Sequence, residues 1–228
     1  MTPSVLASDV LTAQVVIAGD DVYEDLFTAS VELQDLLASA GFVTRVRMGT
    51  GLFAHPLTDD LIVLYRAAGT FTTAEQRGLA DAVAAGAGLL AIHSTAVFDG
   101  AADLGTDADT DLLALFGARY VDHGPQPHES RFRVELAPHP VTAGLDPFEL
   151  THEHYRTELA DDVEVVAWRE APHGSEALVV VHEYGAGRVC FVQFGHDLRV
   201  WDEPGMRDTV MNAAAWLTAA PKPNENED

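Results

Sequence analysis

The first half of the sequence switches its hydrophobic period several times, and that switching leaves few folds open. Ala13 to Ala18 (AQVVIA) is a short apolar run stopped by Gly19-Asp20-Asp21, as expected of a buried parallel strand that ends in a polar loop. From Val22 the spacing becomes helical: Leu26, Leu33, Leu36, Leu37 and Ala40 recur on one face, and Gly41 supplies the stop. Phe42 to Val46 and Leu61 to Tyr65 read as the next two strands, separated by a loop from Gly49 to Pro56 that carries His55. Thr72 with Glu75, and Thr73 with Gln76, both offer a capping box, and Leu79, Ala80, Val83 and Ala84 form the buried stripe of the helix that follows. Gly86-Ala87-Gly88 ends it, and Leu89 to Ile92 is a fourth strand that stops at His93-Ser94-Thr95.

Strands alternating with helices of this length predict an α/β fold, a doubly wound, mostly parallel sheet with right-handed crossovers. Ligands of such sheets bind beyond the carboxyl ends of the strands, near the point where strand order reverses. The loops Gly19 to Asp21, Arg66 to Gly69 and His93 to Thr95 are therefore expected on one edge, and that edge is the default site. Asp99 to Asp111 reads as an acidic surface loop leading into a short helix, Asp111 to Phe116. Eight of the ten histidines then fall between His123 and His196, among strand-like pieces at Arg131 to Leu136, Glu164 to Trp168 and Ala177 to Val181. Val189 to Phe194, joined to the preceding strand by Gly185-Ala186-Gly187, reads as a central hairpin partner. Pro204 opens a closing helix with Met206, Val210, Ala213, Ala214 and Leu217 as its apolar face. Without repeats or linkers, residues 1–220 read as one domain and 221–228 as a polar tail.

Charge narrows the partners. Thirteen basic residues face 36 acidic ones, a formal net charge of -23, and the only lysine is Lys222. A surface this acidic repels phosphate backbones and anionic lipid, which argues against nucleic-acid and membrane partners. The single cysteine, Cys190, excludes a disulfide framework, and its place inside an apolar strand makes it core rather than a nucleophile. With neither a leader pattern at the N-terminus nor a long apolar run, the expected compartment is cytoplasmic.

Four places carry candidate chemistry. Asp20-Asp21 follows the first strand, where paired carboxylates can hold a cation; the alternative is that either caps the next helix. His93 stands at a sharp strand-to-helix turn, the position that presents a catalytic side chain at a sheet edge, with Ser94 beside it. In Thr151-His152-Glu153-His154-Tyr155, an extended chain puts His152 and His154 on one face and Glu153 and Tyr155 on the other. Glu153 is a general acid/base candidate. Gly195-His196-Asp197 ends the apolar strand and brings an imidazole to the same edge. A divalent metal is compatible with this content: His93, His123 and His196 are the set of choice, with Asp20, Asp21 or Glu153 adding oxygen ligands.

Taken in order, Gly88-Leu89-Leu90-Ala91-Ile92-His93, His139-Pro140-Val141-Thr142-Ala143-Gly144-Leu145, Glu153 with Tyr155, and Tyr184-Gly185-Ala186-Gly187-Arg188-Val189 through Gly195-His196-Asp197 resemble the ThuA-like family of trehalose and related sugar utilisation. The resemblance implies a flavodoxin-like sheet of the class I glutamine amidotransferase-like type. It also implies small carbohydrate ligands. The family pattern favours Asp-Glu where this chain has His152-Glu153. The amidotransferase cysteine is missing from the strand-to-helix elbow, so glutaminase activity is not expected. The resulting expectation is an isomerase or hydrolase acting on a disaccharide or keto-sugar, with His93, Glu153 and His196 as the acid/base set. Asp20, Asp21, Ser94, His123, His152, Tyr155, Asp197 and Trp201 are the expected substrate contacts, the two aromatics by stacking on the sugar ring. A noncatalytic sugar-binding or partner-binding module is the alternative, and a homo-oligomer is compatible with either.

Overall fold

A computed structural model describes residues 10–19, 24–67, 69–98 and 112–219 of the chain. Asp20 and Asp21, the acidic 99–111 segment and the 221–228 tail lie outside the described residues. Five strands form a parallel unit: β1 (Thr12–Ala18), β2 (Val43–Met48), β3 (Leu61–Arg66), β4 (Gly88–Ile92) and, much later in the chain, β11 (Gly187–Val192). Their order is β2-β1-β3-β4-β11, so the chain steps from β1 outward to β2 and then returns past β1 to β3, reversing direction across the sheet. That reversal is the crevice where ligands of such sheets bind.

The near-continuous apolar runs follow from burial on both faces. Every residue of β3 and β4 is buried. On one face Val15, Ile17, Val63 and Leu90 pack against α1 (Leu26–Ser39) and α5 (Pro204–Thr218). On the other, Val16, Ile62, Leu64 and Phe191 pack against α2 (Thr73–Ala84) and α3 (Leu112–Phe116). α5 approaches the sheet so closely that a Cβ on Gly88 would stand 2.8 Å from Leu217 Cβ. Cys190 is buried in β11, as its sequence context suggests.

Local signals have local corrections. The capping box of α2 forms on Thr72 and Glu75, whereas Gln76 is buried and donates to the Phe71 carbonyl. Ala84 is exposed rather than part of the apolar stripe, because it lies on the last turn as the helix leaves the sheet. The N-cap of α1 is Asp25, which accepts from Thr28 N at 3.0 Å.

Beyond β11 the sheet continues in antiparallel fashion through β10 (Gly174–Tyr184), β9 (Glu164–Ala171), β6 (Glu129–Leu136) and β7 (Phe148–Glu153), nine strands in all. β6 joins β9 by only two register pairs, Glu135 with Trp168 and Leu136 with Ala167. A separate two-stranded sheet pairs β5 (Ala118–Asp122) with β8 (Arg156–Leu159). β5, β7 and β8 add to the expected strands. No helix among the described residues is long and apolar enough to cross a membrane.

Candidate active site

The site gathers where parallel strands end. His93 directly follows β4 and opens a 3₁₀ turn, His93–Ala96, with φ of 50°. Among the described residues it is the only non-glycine with positive φ. Such strain persists only where surrounding structure enforces it. Its ring is fully buried. Nδ1 lies 2.6 Å from the Gln193 carbonyl, which can only accept, so Nδ1 carries a proton and donates it. Nε2 therefore faces the rest of the cluster: Glu153 Oε1 at 2.8 Å, Glu24 Oε1 at 3.2 Å and the Tyr155 hydroxyl at 3.2 Å.

Each neighbour arrives on a different element. Glu24 comes from the segment after β1, Glu153 from the last residue of β7, and His196 from the loop after β11. His196 Nδ1 lies 2.8 Å from Glu24 Oε2 and 3.5 Å from Glu153 Oε1. Tyr65, in β3, places its hydroxyl 2.9 Å from Glu24 Oε2 and 3.0 Å from the Gly195 carbonyl. Trp201, in the short helix α4 (Leu198–Trp201), donates to that same carbonyl at 3.0 Å. His152 ties the two parts of the sheet together. Its Nδ1 donates to the Glu153 carbonyl at 2.7 Å, and its Nε2 accepts from Gly195 N and His196 N at 3.1 and 3.2 Å.

Electrostatics follow from this packing. Burial disfavours the imidazolium of His93, but Glu24 and Glu153 outweigh it and push the group up to about 10. Burial likewise opposes ionisation of Glu24, yet His93 and His196 hold it at about 2. Glu153 is also held well below the usual carboxylate range against its own burial, chiefly by contact with His93. His196 is raised, first by its hydrogen bond to Glu24. His152 goes the other way: burial, then the positive charge of His93, pulls it down to about 3. It stays neutral, as an imidazole accepting from two backbone N–H groups must. Burial and the nearby carboxylates push both Tyr65 and Tyr155 well above 10.

The expected residues divide. His93, Glu153 and His196 meet, and His123, His152 and Tyr155 join them; His123 Nε2 reaches Glu153 Oε2 at 3.2 Å while its Nδ1 pairs with the Tyr120 hydroxyl at 2.6 Å. Adjacent His152 and Glu153 both enter the cluster because β7 ends at Glu153 and strict alternation ends with it. His154 is turned away to Ser130, at 2.7 Å. Ser94 is buried, its hydroxyl without a hydrogen-bond partner among the described residues. Asp197 caps α4 through Arg199 N and pairs with the Arg199 side chain, so it serves the helix rather than a ligand. Trp201 is fully buried and Tyr155 is stacked on His93 at 4.7 Å between centroids, which leaves neither for stacking on a sugar.

Glu24, Tyr65 and Tyr120 were not among the sequence candidates. Glu24 had one available signal, a carboxylate between the switch-point strand and the next helix. For a metal, the geometry replaces the histidine set His93, His123 and His196 with Glu24, His93, Glu153 and His196, whose ligand atoms all lie within 4.8 Å of one another.

Comparison with known proteins agrees with this architecture. The family model ThuA, described as trehalose utilisation, matches residues 16–217. A ThuA-like protein from Bacteroides uniformis superposes with a TM-score of 0.67 at 17% identity, covering 95% of each chain. One from Parabacteroides merdae gives 0.66 at 15% identity, covering 91% of this chain and 90% of that one. Part of a β-galactosidase from Rahnella sp. R3 also matches, with a TM-score of 0.64 at 12% identity over 90% of this chain and 31% of that one. At such identities these likenesses speak to fold alone. No curated protein matches the sequence.

Proposed function

The chain belongs to the ThuA family, and from that premise we propose an enzyme of carbohydrate utilisation acting by proton transfer on a disaccharide or keto-sugar. The reaction is an isomerisation or hydrolysis, and His93, Glu153 and His196 are its acid/base set, with Glu24 added to them. One observation carries the reading: a fully buried imidazole, locked through Nδ1, directs Nε2 at two carboxylates on the carboxyl edge of a parallel sheet. Groups with this spacing can pass a proton without moving far.

The side chains of Glu153 and His196 are 15% and 29% exposed, against 0% for His93, so a substrate meets the first two and His93 stands behind them. His123, one-third exposed, extends the polar rim for sugar hydroxyls. No cysteine stands at the elbow, in keeping with chemistry other than glutamine hydrolysis.

The test is a panel of disaccharides and their keto derivatives, followed by calorimetry and product analysis. Glu153→Gln is expected to lower turnover by about 10²–10⁴-fold with the thermal melt nearly unchanged. Saturable sugar binding without product would assign the fold to a noncatalytic binding module instead.

A further inference from the structure

We propose that Glu24, His93 and His196 bind one divalent transition-metal cation, zinc by the type of its donors, and that Glu153 remains at its open side to move the proton. The proposal deepens the carbohydrate reading and rests on it only for what the cation acts upon.

Donor spacing is the first ground. Zinc bonds to imidazole nitrogen and carboxylate oxygen are about 2.0–2.2 Å, and a tetrahedron of such bonds has edges of roughly 3.3–3.5 Å. Glu24 Oε1 stands 3.2 Å from His93 Nε2, and Glu24 Oε2 stands 2.8 Å from His196 Nδ1. Glu153 Oε1 lies 2.8 Å from the first nitrogen and 3.5 Å from the second. These separations are those of donors around a shared centre, needing shifts of only a few tenths of an ångström.

The support behind the donors is the second ground. A metal-binding histidine characteristically gives its other N–H to a backbone carbonyl, which fixes both tautomer and ring orientation. His93 does this at Gln193 O, and Tyr65 holds Glu24 in turn. The His196 loop is fixed by the bonds that Gly195 N and His196 N make to His152. Thus the donors are positioned by partners outside the cluster.

Glu153 differs from the ligands in place and in partners. Oε1 is buried with no aligned hydrogen bond, although it touches His93, and Oε2 faces the partly exposed His123. Two carboxylates meeting at one point match a dication in charge. Two imidazoles beside a carboxylate favour zinc, whereas magnesium, calcium and manganese prefer oxygen donors, which makes manganese the contrast ion for a titration. A cation held there would polarise a sugar carbonyl or hydroxyl; of the acid/base set proposed above, His93 and His196 would then serve as ligands and Glu153 alone would move the proton.

The experiment uses the full chain, dialysed against a chelator and titrated calorimetrically with zinc chloride, with manganese chloride as the contrast. One zinc ion per chain is expected, and Glu24→Gln and His196→Gln, each removing a ligand, should weaken binding by more than the roughly 10–100-fold typical of losing a partner behind a ligand, with circular dichroism unchanged. Cobalt loading gives a second readout: visible absorption bands that are altered in His196→Gln, a variant at a partly exposed position. Absence of stoichiometric binding overturns the proposal, as does equal affinity in wild type and both variants, which would assign the ions to scattered surface carboxylates. Because no sugar is present, the two readings fail separately. Sugar turnover by ion-free protein removes the cation and keeps the enzyme; ion binding without any sugar effect does the reverse.

Discussion

The five-stranded parallel part of the sheet and its antiparallel extension contribute to the same site by different physical means. In the parallel part, β3 and β4 are buried along their whole length, and helices cover both faces. The loops leaving it present Glu24, His93 and His196 on a frame that packing alone defines. The β6–β7 hairpin has no such frame. Its strands alternate between exposed and buried residues, and two register pairs join it to β9. It is held in place by side chains: Arg169 over the Phe132 ring, and His152 accepting from Gly195 and His196. One part of the site is therefore secured by apolar area on both faces; the other is secured by a single apolar face, Val134 and Leu150 with Phe132 and Phe148 beside them, supplemented by a few polar contacts, and Glu153 belongs to the second.

That contrast can be broken in order of effect. Phe191→Ala removes a fully buried ring from the parallel part, and is expected to cost about 3–5 kcal/mol, read as a lowered urea midpoint with all strands unfolding together. His152→Leu keeps the bulk but leaves Gly195 N and His196 N without their acceptor, for a loss of about 1–3 kcal/mol. Its diagnostic is regional: hydrogen exchange should accelerate in β6 and β7 while amides of β1, β3 and β4 keep their protection. Uniform acceleration would show that the hairpin is not a separately secured unit. Arg131→Ala, which breaks an exposed pair with Glu149 on that hairpin, should change stability by less than about 1 kcal/mol. A larger change in the urea midpoint would mean that surface pairs, and not only His152 and Arg169, hold the hairpin.

The same division explains what the sequence disclosed. β1, β3, β4 and α5 were legible because strands and helices buried against each other carry unbroken apolar runs or a clean helical stripe. β7 (FELTHE) and β8 (RTEL) were not, since both are short and mix charged with apolar residues: in β7 only Phe148 and Leu150 reach the core before His152 and Glu153 turn to the polar site, and in β8 only Leu159 packs against the core. His93 was legible through its place at the end of an apolar strand. Glu24 was hidden among Asp20, Asp21 and Asp25, whose types are equally compatible with capping, and only its burial singles it out. Trp201 misled for a related reason: an aromatic near a polar motif suggests stacking on a sugar, whereas its indole is spent on fixing the Gly195 carbonyl.

The left-handed backbone at His93 concentrates strain at the centre of the polar cluster. Holding a residue other than glycine there costs on the order of 1–3 kcal/mol, and glycine would relieve the strain while deleting the imidazole at the centre of the cluster. Glycine there would also leave Glu24 and Glu153 facing each other without the imidazole between them, so the strained backbone is held in place by the very ion pairs that it positions.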